Sequence, residues 1–181
     1  MEIVYAILIV IIIFGLMGIC YVFYYNRLQD CKLKVDEAES IIDESLREKY
    51  DILIDIKKII DEKVKNNKLS LKELDSLKDS DISNFDLDRK LGEYESTVIQ
   101  IKDDYKVLLQ NESYLQLIEK IKRVDEKITA AKRFYNKYIT ESNEYVRKFP
   151  SNIVAKFHNI KIKNFFDNKD LNDDNLDDFK L

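Results

Sequence analysis

Residues 3–25 read IVYAILIVIIIFGLMGICYVFYY, and the interpretation of this stretch decides the architecture of everything that follows it. It carries no charge, and only Gly15 and Gly18 dilute its run of branched and aromatic side chains. About 23 residues rising ~1.5 Å each give a helix of ~35 Å, enough to cross a hydrocarbon core of ~30 Å. In lipid such a segment is helical, because only a helix satisfies its own backbone there. Tyr21, Tyr24 and Tyr25 stand where an interfacial aromatic belt belongs.

A removable signal would show a basic start, a shorter apolar core and a small-x-small cleavage site. Here Met1-Glu2 is not basic, the core is too long, and Ile19 occupies the place before Cys20 where a lipoprotein signal needs a small residue. The segment therefore reads as a retained single-pass anchor in contact with membrane lipid. Glu2 precedes it and Arg27, Lys32 and Lys34 follow. By the positive-inside rule the N-terminus is expected outside and the bulk of the chain in the cytoplasm.

Beyond residue 25 the chain turns polar and helix-patterned. Its 30 Lys and Arg against 34 Asp and Glu argue against a nucleic-acid binder, and three Gly, one Pro and no Trp leave little for turns or sheets. Leu28, Cys31, Val35, Ala38, Ile42, Leu46, Leu53, Ile56, Ile60 and Val64 recur mostly at steps of three and four, which predicts that the first helix continues to about residue 65. Asn66-Asn67 ends it. Ser70 with Glu73 forms a capping box for a short helix carrying Leu71, Leu74 and Leu77, and residues 79–84 form a polar break.

A third helix is expected over residues 86 to 109, with Leu87, Leu91, Tyr94, Val98, Ile101, Tyr105 and Leu108 along its stripe. Asn111 caps a fourth, whose seam is Tyr114, Leu117, Ile121, Val124, Ile128, Ala131, Tyr135, Tyr138, Ser142, Tyr145 and Phe149 before Pro150 stops it. The fold class is thus all-α: an antiparallel bundle of three long helices and one short one behind a single transmembrane helix. The domains read as 1–25, anchor; 26–166, bundle with a basic and aromatic end; and 167–181, an acidic tail with six Asp, expected to be disordered.

Several stretches together resemble the LemA family of membrane-anchored bacterial proteins. They are Tyr25-Asn26-x-Leu28, Val35-Asp36-Glu37-Ala38, Ser40, Asp43, Leu46, Tyr50-Asp51, Asn111 through Leu117, Ile128-Thr129-Ala130-Ala131-Lys132, Tyr135-Asn136, Asn143, Phe149-Pro150, Ala155-Lys156 and Phe165-Phe166-Asp167. The resemblance implies a helical bundle behind one anchor, and no established catalytic activity. Departures from the pattern are Ile54 and Lys106 in place of Pro, which should leave those helices straighter. Glu39 also replaces an aromatic, Ser142 a Tyr, and Asn159-Ile160 a Gly-Phe.

The chemistry-bearing residues point away from catalysis. Asp36-Glu37, Asp43-Glu44, Asp103-Asp104 and Asp125-Glu126 are carboxylate pairs, yet a dimetal bundle needs Glu-x-x-His pairs and the chain holds only His158. Solvated helix faces account for them, and no cofactor or metal is expected. Calcium-loop spacings from Asp170 and from Asp79 fail at the glycine and the closing Glu. Cys20 and Cys31 would lie ~16 Å apart on one helix, too far for a disulfide. Asn136 and Asn143, seven apart, either enter the seam and set register or face water.

The functional reading is a non-enzymatic scaffold or interaction module at the bacterial membrane, with an unidentified protein partner and homo-oligomerisation left open. Its rivals are a stator-like or cytoskeletal coiled coil and an accessory subunit of a membrane enzyme. One stretch adds to this. From Tyr145 to Phe166 there is no acid, and Arg147, Lys148, Lys156, Lys161 and Lys163 alternate with Phe149, Ile153, Val154, Phe157, Ile160, Phe165 and Phe166. The basic residues are candidate contacts with a membrane surface, while the apolar ones either share that role or close the base of the bundle.

Overall fold

The computed structural model describes residues 1–64, 71–79 and 82–166, and the chain is all-α over them. Helix α1 spans Glu2–Lys63 without a break, so the apolar stretch and the first bundle helix are one hydrogen-bonded rod. All ten predicted stripe positions from Leu28 to Val64 are buried. Residues 1–23 are exposed on every side, as no core helix would be. The expected second helix is a 3-10 helix, Lys72–Asp79. Its three leucines explain why: Leu71, Leu74 and Leu77 are spaced by three and all buried, and three residues per turn stacks them on one face. The capping box at Ser70, the Asn66-Asn67 stop and the acidic tail lie outside the described residues.

Helix α2 covers Asn84–Asp104, and Ser83, expected to belong to a break, is its N-cap, with Oγ accepting from the Asp86 N–H at 3.1 Å. The helix stops five residues earlier than predicted. Tyr105 leaves helical geometry at φ −121°, ψ 82°, and a 3-10 turn, Lys106–Gln110, follows. The straightening expected from Lys106 is therefore absent, whereas α1 does run unbroken through Ile54. Asn111 caps α3, Glu112–Arg147, as predicted, with Oδ1 2.9 Å from the Tyr114 amide. A further short helix, α4, follows at Ser151–Phe157.

The chain forms two compact units, each fed by α1 and α3. One comprises residues 38–133. Its core joins Ile42, Leu46, Leu53 and Ile56 of α1 with Leu91, Val98 and Ile101 of α2 and Tyr114, Ile121, Val124 and Ile128 of α3. Lys49 pairs with Asp125 while Glu44 pairs with Lys127, so α1 and α3 are antiparallel. Lys132 with Asp88, and the Tyr114 hydroxyl with the Val98 carbonyl at 3.4 Å, show the same for α2 and α3. Asp125 is thus no idle surface acid. The Lys49 ammonium, 4 % exposed, sits 2.6 Å from both Asp125 and Glu95 and ties three helices together.

The other unit comprises residues 1–37 and 134–181. Here the expected α3 seam drifts. Ile139 and Asn143 are buried in place of Tyr138 and Ser142, and Phe149 is exposed. The buried stripe follows four-residue steps from Ala131 because the chain after α4 folds back over that side of the helix.

Three buried groups make stability fall in alkali. Burial lifts the Cys31 thiol from 9.0 to about 11, with Glu141 and Asp30 adding to it, and lifts the Tyr114 phenol from 10.0 to about 12. At Lys49 burial acts to lower the ammonium pKa, but the bonds and charges of Asp125 and Glu95 together outweigh it and raise the pKa above 10.5. Each folded pKa exceeds the unfolded one, so the stabilisation is complete below pH 9.0 and is lost as pH climbs through about 12. Denaturant midpoints of the full chain in neutral detergent should be flat from pH 7 to 9 and then drop. Lys49→Met should cost about 2 kcal/mol, below the range for fully buried pairs because both carboxylates reach water. Adding Glu95→Gln and Asp125→Asn should recover most of that loss, and an unchanged midpoint in Lys49→Met would remove Lys49 from the core account.

Candidate functional site

Ile153 and Phe157 are four residues apart, so a helix through them shows both on one face, and Val154 and Ala155 on another. In α4 the second face is buried against Leu28 of α1, with Tyr24, Tyr25, Tyr145, Val146 and Ile160 around it. The first face is left bare, with Phe157 79 % and Ile153 60 % exposed, and Phe149, in the turn that leads into α4, is 79 % exposed as well. The apolar residues of this region are therefore divided. Val154 and Ile160 close the unit, and the Phe149–Ile153–Phe157 row does not.

The end of α4 is fixed by a Schellman motif. The Ile160 N–H donates to the Ala155 carbonyl at 2.8 Å and the Asn159 N–H to that of Lys156 at 3.1 Å. Asn159 takes φ 53°, the left-handed conformation that Asn tolerates better than any residue except Gly. Ile160 then reaches back to the Leu28 cluster, which is the apolar contact the motif usually carries.

From Ile160 the chain runs extended along α3 to Phe166, and two asparagines hold it. Asn143, 1 % exposed, donates Nδ2 to the Lys163 carbonyl at 2.8 Å and accepts the Lys163 N–H at 3.0 Å. Asn136 accepts the Phe166 N–H at 2.9 Å. The spacing follows from geometry: seven helical residues rise ~10.5 Å, and three extended residues cover ~10 Å. The two side chains thus replace the missing neighbouring strand. They neither set a helix–helix register nor face water.

His158 ties α4 to the apolar end of α1. Its Nε2 shares a 2.6 Å hydrogen bond with the Tyr21 hydroxyl, and its ring lies 4.7 Å from that of Tyr25. Phe157 meets Tyr21 edge-on at 6.4 Å. Beside this cluster, α1, α3 and the extended segment enclose an open groove of about 540 Å³. Leu28, Val35, Ile139 and Ile160 give it an apolar lining, while Lys32, Lys161 and Lys163 bring charge to it.

The five predicted contact residues separate into two sets. Arg147, Lys148 and Lys156 belong to the end of α3 and to α4, all exposed, with Lys148 bonded to Glu144 at 2.6 Å. Lys161 and Lys163 join Lys32 at the groove. Sequence reasoning used Lys32 only for orientation, and missed Lys49, Asn143 as a backbone clamp, and the His158–Tyr21 bond. Each depends on partners 20 to 137 residues away, which no local pattern reveals. Among the described residues no cluster of His, Cys, Asp and Glu is placed to hold a metal ion.

Compared with known proteins, residues 38–176 match the model of the LemA family. The match begins after the Tyr25–Glu37 stretch that also carries the resemblance. No curated protein and no solved structure is similar enough to match.

The asparagine clamp makes a direct prediction. Asn143→Leu removes both bonds to Lys163 and leaves its part-buried peptide group without the side chain that pairs it. The amide of Lys163 should exchange with solvent roughly five- to a hundredfold faster, for a loss of ~1–3 kcal/mol. Amides in the middle of α2 should keep their rates. Hydrogen exchange at residue resolution checks this, and an unchanged Lys163 rate would show that the clamp does not hold the segment.

Proposed function

The chain belongs to the LemA family, and we propose that it is a single-pass membrane protein whose helical bundle serves as a non-enzymatic scaffold, mounted on the bilayer at two points. The first mount is the apolar stretch of α1, which is exposed on every side from residue 3 to residue 20. The second is the bare row of Phe149, Ile153 and Phe157. The observation that carries the reading is the contact between the two: Phe157 and His158 pack on Tyr21 and Tyr25, in the aromatic belt where the apolar stretch ends.

Magnitudes favour engagement over a loose tether. Burying each of three large apolar side chains contributes roughly 1.5–3 kcal/mol. Lys156 adds about 1 kcal/mol on an anionic leaflet, and Arg147 and Lys148 less because each already interacts within the protein. The sum is several times thermal energy, so the unit lies against the surface in one orientation. A scaffold needs that property, since a partner docked on this unit is then held at a fixed height and azimuth. The basic residues after Tyr25 support a bundle on the cytoplasmic side by the positive-inside rule.

The chain has no tryptophan, which makes a single introduced one a clean reporter. In bilayers containing brominated lipid, Phe157→Trp should be strongly quenched. Leu33→Trp, exposed and ~12 Å beyond Tyr25 along the same helix, should be quenched little. A reporter active only outside the cytoplasm, fused after Leu181, should stay silent. Equal quenching at the two sites would remove the second mount, and an active reporter would reverse the sidedness.

A further inference from the structure

The groove beside His158 differs in charge from the rest of the molecule. The chain carries 34 acidic residues and a net charge of −4, yet the groove lining contains three lysines, one histidine and no acid. Lys32 comes from α1 and Lys161 and Lys163 from the extended segment, so residues ~130 apart in sequence converge there. None of the three has an ion-pair partner among the described residues, whereas Lys34, Lys49, Lys57, Lys58 and Lys148 all do. Three cations gathered with no counterion among the described residues repel one another, and an anionic occupant relieves that cost.

The rest of the lining narrows the occupant. Leu28, Val35, Ile139 and Ile160 form apolar walls, which a free inorganic anion does not need. Gln29, Ser142 and Asn159 offer hydrogen bonds for hydroxyl or ester oxygens. The volume of about 540 Å³ suits a headgroup with the first part of its chains. Leu28 also lies one helical turn past Tyr24, and the groove residue His158 is bonded to Tyr21 at the end of the apolar stretch.

We infer that this groove is a binding site for the phosphate headgroup of an anionic glycerophospholipid. Lys32, Lys161 and Lys163 neutralise the phosphate, and the apolar walls take the glycerol and proximal acyl carbons. The asparagine clamp then has a role beyond packing. By fixing the backbone at Lys163 it sets the height of two of the three lysines over the groove. This inference rests on the membrane reading above and adds to it a defined lipid site separate from the α4 face.

The test uses the full chain, delipidated in neutral detergent and titrated with phosphatidylglycerol or phosphatidylcholine of identical chains, with bound lipid counted by native mass spectrometry. One phosphatidylglycerol should bind per chain, with clear preference over phosphatidylcholine. Lys32→Gln/Lys161→Gln/Lys163→Gln should weaken it about a hundredfold, each base contributing roughly a factor of five. Ser142→Tyr, which fills the groove without changing its charge, should block it as well. Lys120→Gln/Arg123→Gln/Lys127→Gln makes the same charge change elsewhere and should bind as the parent does.

Loss of lipid preference, or unchanged binding in the groove triple variant, overturns the site. Glycerol 1-phosphate binding as tightly as the lipid would make the occupant a soluble phosphate and overturn the lipid assignment. The two readings fail separately. Selective lipid binding with no quenching at Phe157→Trp supports the groove against the α4 mount, and quenching without lipid selectivity does the reverse.

Discussion

A single backbone hydrogen-bond ladder, Glu2–Lys63, carries both the bare apolar stretch and the stripe around which the other helices assemble. The constraint is physical. At the end of the apolar stretch a break in the helix would expose unpaired backbone groups, and no Gly or Pro near Tyr25 invites one. The stripe begins at Leu28, three residues on, so whatever fixes the apolar stretch also fixes the first layer of the core. Leu28, Val154 and Ala155 form that layer, and α4 is placed by it.

The C-terminal part of the chain is then held by devices that replace secondary structure rather than extend it. An Asn in left-handed conformation ends α4, an apolar residue reaches back to the Leu28 cluster, and two amide side chains take the part of a neighbouring strand. Each is a local solution to one problem, the pairing of backbone groups that no helix or sheet satisfies. Together they explain why an extended segment with alternating Lys and Ile stays against α3 while its lysines remain exposed around the groove.

Much of this was legible in the sequence, for reasons that also mark the limit. The α1 stripe was read correctly at every position because one continuous helix keeps a single period. The α3 seam is legible from Tyr114 to Ala131, except that Leu117 is only half-buried, and is lost afterwards, because its lower part is covered by an extended segment and not by a helix, and a heptad pattern presumes helical neighbours. The end of α2 was missed since Tyr105 continues the apolar period while its backbone leaves the helix. The 3-10 helix that carries Leu74 and Leu77, with Leu71 just before it, reads as a plain helix in the sequence, although the three-residue spacing holds the clue. Of the site, the basic residues were visible in composition, but their division between the α4 face and the groove depended on Lys32, whose partners lie across the fold.

The account depends most on α1 crossing from the apolar stretch into the bundle without a hinge. Spin labels at Met17→Cys and Glu37→Cys, with Cys20 replaced by Ser and Cys31 protected by burial, report on that directly in lipid bilayers. Twenty helical residues separate the sites, and the account predicts one narrow distance distribution near ~30 Å. A broad distribution, or one centred well below that length, would show a hinge near Tyr25 and contradict it.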